Sequence, residues 1–300
     1  MPTQPQATKP VSSDDNVSKA AEHANSDDAR MSFVEHLAEL RLRLRNSAII
    51  FLVVMCVGFA FVKKFFWVLM RPTVHAWTVA LHGTEPKFVF TGPTEPFWVY
   101  TKLAMYGALL LSSPFIFWEL WKFIAPGLYR KEKRMALVVT VSSALCFVGG
   151  ALFGYFVLCT PALTYMLGFA ETIGDFRLDP MITMNEAIGF MTAMLLGTGV
   201  AFELPVIMGV LGWLGIVKAR MLLRFNKYAL ILAFVVGGVL TPGPDVLSQV
   251  LMAGPLFLLY NVSILIVWMI ERAARERLEK LAKETGADLV PVEDTDLAKK

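Results

Sequence analysis

Glu203 lies in the run Ala201-Phe202-Glu203-Leu204-Pro205, inside a stretch otherwise apolar enough to sit in a bilayer. A carboxyl group there must be paired, protonated or solvated, so an intramembrane acid marks an ion path, a partner contact or an internally bonded structural group. Pro205, two residues on, removes a backbone donor and predicts a kink. A second group is His36-Leu37-Ala38-Glu39-Leu40-Arg41-Leu42-Arg43-Leu44. On a helix Glu39 and Arg43 are one turn apart and can pair. The same pattern also fits a plain amphipathic helix at a membrane surface. His36 and Glu39 have metal-ligand chemistry but no third ligand in view. A third acid, Glu132, follows Pro126-Gly127 among Arg130, Lys131, Lys133 and Arg134. It reads either as a solvated loop charge or as a binding group. Asp245, just after Pro242-Gly243-Pro244 and followed by Ser248 and Gln249, is placed to cap a helix, where an acid satisfies free backbone N–H groups.

Covalent and metal chemistry find little support. Cys56, Cys146 and Cys159 all fall within apolar runs without metal-ligand spacing, and read as small packing residues. The four histidines are scattered. No nucleophile elbow, Walker A loop, Rossmann fingerprint or zinc-protease helix occurs. The chain is therefore expected to be no enzyme, to carry no cofactor or metal, and to work by binding, passage or assembly.

The elements that must position these residues are membrane helices. Apolar residues make up 56% of the 300 positions and charged residues only 18%, too few to cover a soluble domain of this length. A bilayer core of about 30 Å needs about 20 helical residues. Candidate spans run over 48–62, 99–124, 135–159, 187–214, 228–240 and 250–270. The fifth has about 13 uncharged residues, or about 20 Å of helix, and reads as a short span. The sixth contains Gly254-Pro255 and reads as interrupted. Residues 1–30 are polar with no apolar core, and are expected to be a disordered cytoplasmic tail rather than a secretory signal. A membrane domain is expected over 31–271 and a charged cytoplasmic tail over 272–300. The net charge of +3 is too small to imply nucleic-acid binding.

Basic residues give the orientation. Arg41, Arg43 and Arg45 precede the first span; Arg130, Lys131, Lys133 and Arg134 lie between the second and third. Lys218, Arg220, Arg224 and Lys227 lie between the fourth and fifth, and Arg272, Arg275 and Arg277 follow the sixth. The alternate loops are poorer, with Lys63, Lys64, Arg71 and Lys87 in the first and Arg177 in the second. The excess marks the cytoplasmic side and places both termini there. The aromatic-rich outer loops, about 63–98 and 160–186, fit segments resting at the outer interface.

Taken in order, the motifs resemble the TatC family, the core membrane subunit of the twin-arginine protein translocase. The matches are HLAELRLRL at 36–44, EPF at 95–97, SP at 113–114 and W-x-FIAPGLY-x-x-E at 121–132. GYF at 154–156, FELPV at 202–206 and TPGPDVLSQ at 241–249 follow. The resemblance covers about residues 31–271. It implies an all-α, polytopic bundle of six transmembrane helices with a concave, glove-like shape. It also implies recognition of twin-arginine signal peptides and export of folded proteins, driven by the proton motive force.

Signal-peptide contacts carry over onto Glu39 and Glu132, with Arg41, Arg43 and Phe123 nearby. The chemistry suits them, since an arginine fork is always charged and binds carboxylates through two planar bonds. Glu203 matches the family's intramembrane acid, which contacts a partner helix. Pro72 and Phe97 match outer-loop positions that shape the fold, Tyr155 an aromatic of the third span, and Asp245 and Gln249 an outer-side pair. Glu119 stands where a neutral amide is common, and Asn261 where an acid is usual. The implied partners are TatB-like and TatA-like single-span subunits, twin-arginine signal peptides, further copies of the chain and the lipid bilayer, in the bacterial cytoplasmic (inner) membrane. The competing reading is a proton- or ion-coupled small-molecule secondary transporter, which Glu203 and the irregular last three spans would suit.

Overall fold

The computed structural model describes residues 13–82, 85–124, 133–170, 172–173, 176–240 and 246–285. Among these, six helices are long and apolar enough to cross a membrane: His36–Ala60, Glu95–Ile124, Leu137–Leu167, Met184–Trp213, Ala219–Val239 and Val246–Lys280. At 1.5 Å per residue even the shortest, with 21 residues, reaches about 30 Å. The first belongs to α1, Ser13–Ala60, whose opening turns fall in the polar segment read above as a tail.

After α1 the chain folds into two short helices, α2 (Val62–Leu69) and α3 (Arg71–Ala80), then the two-residue strand β1 (Phe88–Val89). Pro72 is buried at the first turn of α3, where its missing N–H leaves no bond unmade. The second span is α4, Glu95–Ile124, which carries Pro114 within it. The third is compound: α5 (Lys133–Phe153), a π-helical turn over Gly154–Leu158, and α6 (Cys159–Leu167). Short strands β2 (Thr172–Ile173), β3 (Phe176–Arg177) and β4 (Ile182–Thr183) follow.

The fourth span is α7 (Met184–Ala201) and α8 (Leu204–Trp213), broken at Phe202-Glu203. The break is the kink expected from Pro205, which occupies the first turn of α8. Gly215, with φ 72°, then turns the chain towards α9, a conformation that favours a residue without Cβ. The last spans are α9 (Ala219–Leu240) and α10 (Val246–Thr285).

Two expectations for these last helices are revised. Only the charge-free part of α9 is short; the helix itself continues through Arg220, Arg224 and Lys227 to 22 residues. Long basic side chains can keep their heads at the interface while their stems cover apolar surface, so charge does not end a span where hydropathy does. Likewise Pro255 lies inside a continuous α10 rather than interrupting it.

The far-side loops are tied into one cap. Strand β1 pairs in parallel with β4, placing Phe88 opposite Ile182 and Val89 opposite Thr183. The Glu95 carboxylate accepts from the Thr91 N–H at 2.6 Å and hydroxyl at 2.9 Å, and from the Asn185 N–H at 3.1 Å. Lys102 Nζ donates to Asn185 Oδ1 at 2.9 Å. A reciprocal capping box between Thr183 and Glu186 starts α7. The start of α4 and the start of α7 are thereby held together.

The core runs through α3, α4, α6, α7 and α10, with Leu103, Ile188, Met191, Met194 and Met252 fully enclosed. α1 packs along α4 but turns Leu44, Ile49, Leu52, Val53 and Val57 outward. α9 does the same with Ile231, Leu232 and Val235. An apolar face turned away from the protein is stable only against hydrocarbon or another apolar helix.

Candidate functional site

Two polar clusters form where the spans approach the side on which α1 begins its crossing. The first lies between α1 and α4. One face of α1 presents His36, Glu39 and Arg43, one turn apart, to the last turns of α4. Arg43 donates through one terminal nitrogen to Glu39 Oε1 and through the other to Glu119 Oε2, each at 3.0 Å. Glu39 and Arg43 are half-buried and Glu119 is buried, so the guanidinium is partly shielded from water on its α4 side. The Arg43 Nε finds no acceptor. One turn beyond Glu119, Phe123 stacks on the His36 ring, with centroids 4.3 Å apart and planes 13° from parallel. Lys122 lies over the Trp118 ring at 4.6 Å. An arginine gripped by carboxylates beside a stacked aromatic pair is a surface already shaped for guanidinium chemistry.

The sequence reading brought Glu39, Arg43 and Phe123 to this place, and the structure puts them there together. Arg41 is exposed on α1, away from the clasp. Glu132 lies outside the described residues. In the sequence Glu119 stands out only as a departure from the family pattern; as the second acid on Arg43 it is part of the cluster. Its spacing from Phe123, one helical turn, was the available signal.

The second cluster lies one layer deeper. Glu203 sits at the α7–α8 break, immediately before Leu204 opens α8. The residue is only 6% exposed, and its Oε1 has no partner. The other contact is the Ser143 hydroxyl of α5, which hydrogen-bonds the Glu203 carboxyl. Ser143 Oγ in turn accepts from Trp121 Nε1 of α4 at 2.9 Å. Trp121 faces α5 while Glu119 and Phe123 face α1, so the last turn of α4 contacts both clusters. Close approach of α5 to α7 and α8 depends on Gly150, since a Cβ there would meet the Thr198 carbonyl oxygen at 2.5 Å and Phe202 at 2.8 Å.

The remaining candidates are dispersed. Tyr155, in the π-turn, donates from its hydroxyl to the Val68 carbonyl at 2.6 Å and so fixes the end of α2. Phe97 is exposed and packs edge-on against Trp98. Gln249 donates to the Phe234 carbonyl at 2.9 Å and joins α9 to α10 near Gly237 and Gly238. Asp245 lies outside the described residues. At the opposite end of α9, Glu271 accepts from the Ala219 N–H at 3.0 Å and Tyr260 donates to the Leu222 carbonyl at 2.8 Å. Asn261 bonds within its own helix, to the Phe257 carbonyl at 2.8 Å. Glu95 and Glu271, which bind three and one backbone or side-chain groups across elements, carry no motif that marked them in advance beyond the EPF run.

Six crossing helices, a buried carboxyl at a helix break and an arginine-binding acid pair at one end define a polytopic membrane protein of the transport class. Residues 35–255 match the family described as "Sec-independent protein translocase protein (TatC)". The TatC protein of Koribacter versatilis (strain Ellin345) is 34% identical over 257 residues, covering 85% of this chain and 92% of that one. The TatC protein of Aquifex aeolicus (strain VF5) is 35% identical over 246 residues, covering 82% and 98%. A crystal structure described as the twin-arginine translocase receptor TatC superposes with a TM-score of 0.67 at 34% identity, covering 79% of this chain and 99% of that one. The chain belongs to the TatC family and is a membrane subunit of the twin-arginine protein translocase. The secondary-transporter reading is not favoured.

Proposed function

We propose that this chain is the signal-peptide receptor of its translocase, binding twin-arginine signal peptides at the cytoplasmic ends of α1 and α4. The observation that carries the reading is Arg43, held by Glu39 on one side and Glu119 on the other at 3.0 Å each. A ligand arginine can join or replace that guanidinium without a new site being built. Glu132, by its place in the resemblance, supplies a further acid for the second ligand arginine. Arg41 and Phe123 flank the contact, Arg41 from its exposed face and Phe123 through its stack on His36.

In this reading both termini are cytoplasmic and the membrane is the bacterial inner membrane. TatB-like and TatA-like single-span subunits and further copies of the chain complete the assembly, and the proton motive force drives export of folded proteins. Glu203, buried with an unsatisfied oxygen, is the group that contacts a partner helix. Pro72, Phe97 and Tyr155 shape the far-side cap, with Asp245 and Gln249 at the end of the last hairpin.

Site-specific cross-linking of an arginine-bearing signal peptide tests the assignment. E39A and E132A are expected to lose the cross-link while remaining in the membrane at parental amounts. Parental cross-linking in both variants would overturn it.

A further inference from the structure

The α2–α3 segment carries charge that neither the fold nor the proposed receptor site uses. Lys63, Lys64 and Arg71 lie within residues 62–82, together with His75 and His82, and that stretch contains no acid. This segment sits at the end of α1 opposite Glu39. The proposed orientation makes that the side where basic residues near span ends are normally sparse. Among the described residues no carboxylate pairs with Arg71. Its guanidinium instead lies over the Trp67 ring, 3.9 Å from the centroid, a contact that orients the fork while leaving its N–H groups free to donate.

Arg71 opens onto a groove of about 440 Å³. Phe66, Met70, Val74 and Phe88 form apolar walls, and His75 lies beside Arg71 on the same lining. The base is anchored, because the Tyr155 hydroxyl holds the Val68 carbonyl at 2.6 Å and Pro72, Ala76 and Trp77 of α3 are buried. Trp67 and Phe90 remain exposed nearby, as aromatics at a membrane interface do.

We propose that this groove holds one anionic phospholipid of the bordering leaflet, its phosphate on the Arg71 fork and an acyl chain along Phe66, Met70, Val74 and Phe88. A free anion would use the cation but not the apolar walls. A zwitterionic lipid brings its own cation, for which residues 62–82 offer no acid; an anionic headgroup needs none. Bidentate guanidinium–phosphate bonding supplies the geometry, and bordering hydrocarbon supplies the chain.

Native mass spectrometry of the full chain, released from detergent with dioleoylphosphatidylglycerol or dioleoylphosphatidylcholine, reads the site directly. The parent is expected to retain the anionic lipid about fivefold better, the effect of one basic residue at a charged interface. R71Q should remove that preference without changing retention of the zwitterionic lipid, and R71K should keep part of it. Should R71Q fail to fold, V74W decides the matter by filling the groove and leaving the cation in place, and it too should lose the preference. Equal retention of the two lipids by the parent, an unchanged preference in R71Q or V74W, or displacement of the lipid by millimolar inorganic phosphate would each overturn the proposal.

Discussion

Arg43 and Ser143 are the residues on which the two polar clusters turn, and each makes a measurable commitment. Arg43 is shared by Glu39 and Glu119, so E119A leaves a partly buried guanidinium with one acid. The loss is expected to be about 1–3 kcal/mol, the usual range for a polar group deprived of its partner, and to appear as a lower melting temperature in detergent. E119Q keeps an acceptor oxygen within reach and should recover most of it. Ser143 serves Trp121 and Glu203 at once. S143A should therefore cost about 2 kcal/mol, and W121F/S143A less than the sum of its two single changes, because both remove the same bond. Additive effects in that double-mutant cycle would show that the relay is not coupled.

At the scale of elements, the contact of α5 with α7 and α8 is set by glycine rather than by large apolar side chains. Gly150 faces the Thr198 carbonyl and Phe202, and Gly154 faces Thr198 Oγ1 and the Met194 carbonyl, whereas Gly149 next door meets nothing within 4 Å. G150A must push backbone against backbone. It is expected to destabilise by about 1–3 kcal/mol, the ordinary range for overpacking. G149A should be neutral or slightly stabilising, because alanine suits an open helical position better than glycine. Thermal unfolding of the two variants side by side isolates steric clash from helix propensity. The α7–α8 break belongs to the same scale: Pro205 accounts for it, and Glu203 at the break meets Ser143 of α5.

For the whole molecule, an even number of crossings puts the beginning of the first span and the end of the last on one side. With the basic residues as guide, the proposed orientation makes that side the cytoplasm. In a chain whose Cys56, Cys146 and Cys159 are replaced by alanine, a cysteine at Arg275 should be blocked only by reagents admitted to the cytoplasm. A cysteine at His82 should react with impermeant reagent from outside. Reaction of both from the same side would remove the six-span topology. The six spans are legible in the sequence because crossing a bilayer demands long uncharged runs; which side each loop faces is what the labelling decides.

The sequence by itself determined the class, the number of spans and the identity of most acids of interest, since burying a carboxyl or a twenty-residue apolar run leaves few alternatives. It did not determine where α9 and α10 end. Arg224 and Gly254-Pro255 looked like boundaries, yet packing carries both helices through them. Nor did it reveal that Glu119 completes the clasp on Arg43, or that Ser143 and Trp121 reach Glu203. Those pairings join residues 76 and 22 positions apart in the chain. Periodicity reports which face of a helix is apolar, but only the docking of one helix on another decides which polar groups on those faces meet. The Arg71 groove shows the same division: its cations are plain in the sequence, and its walls exist only because α2 and α3 fold against β1 and the π-turn.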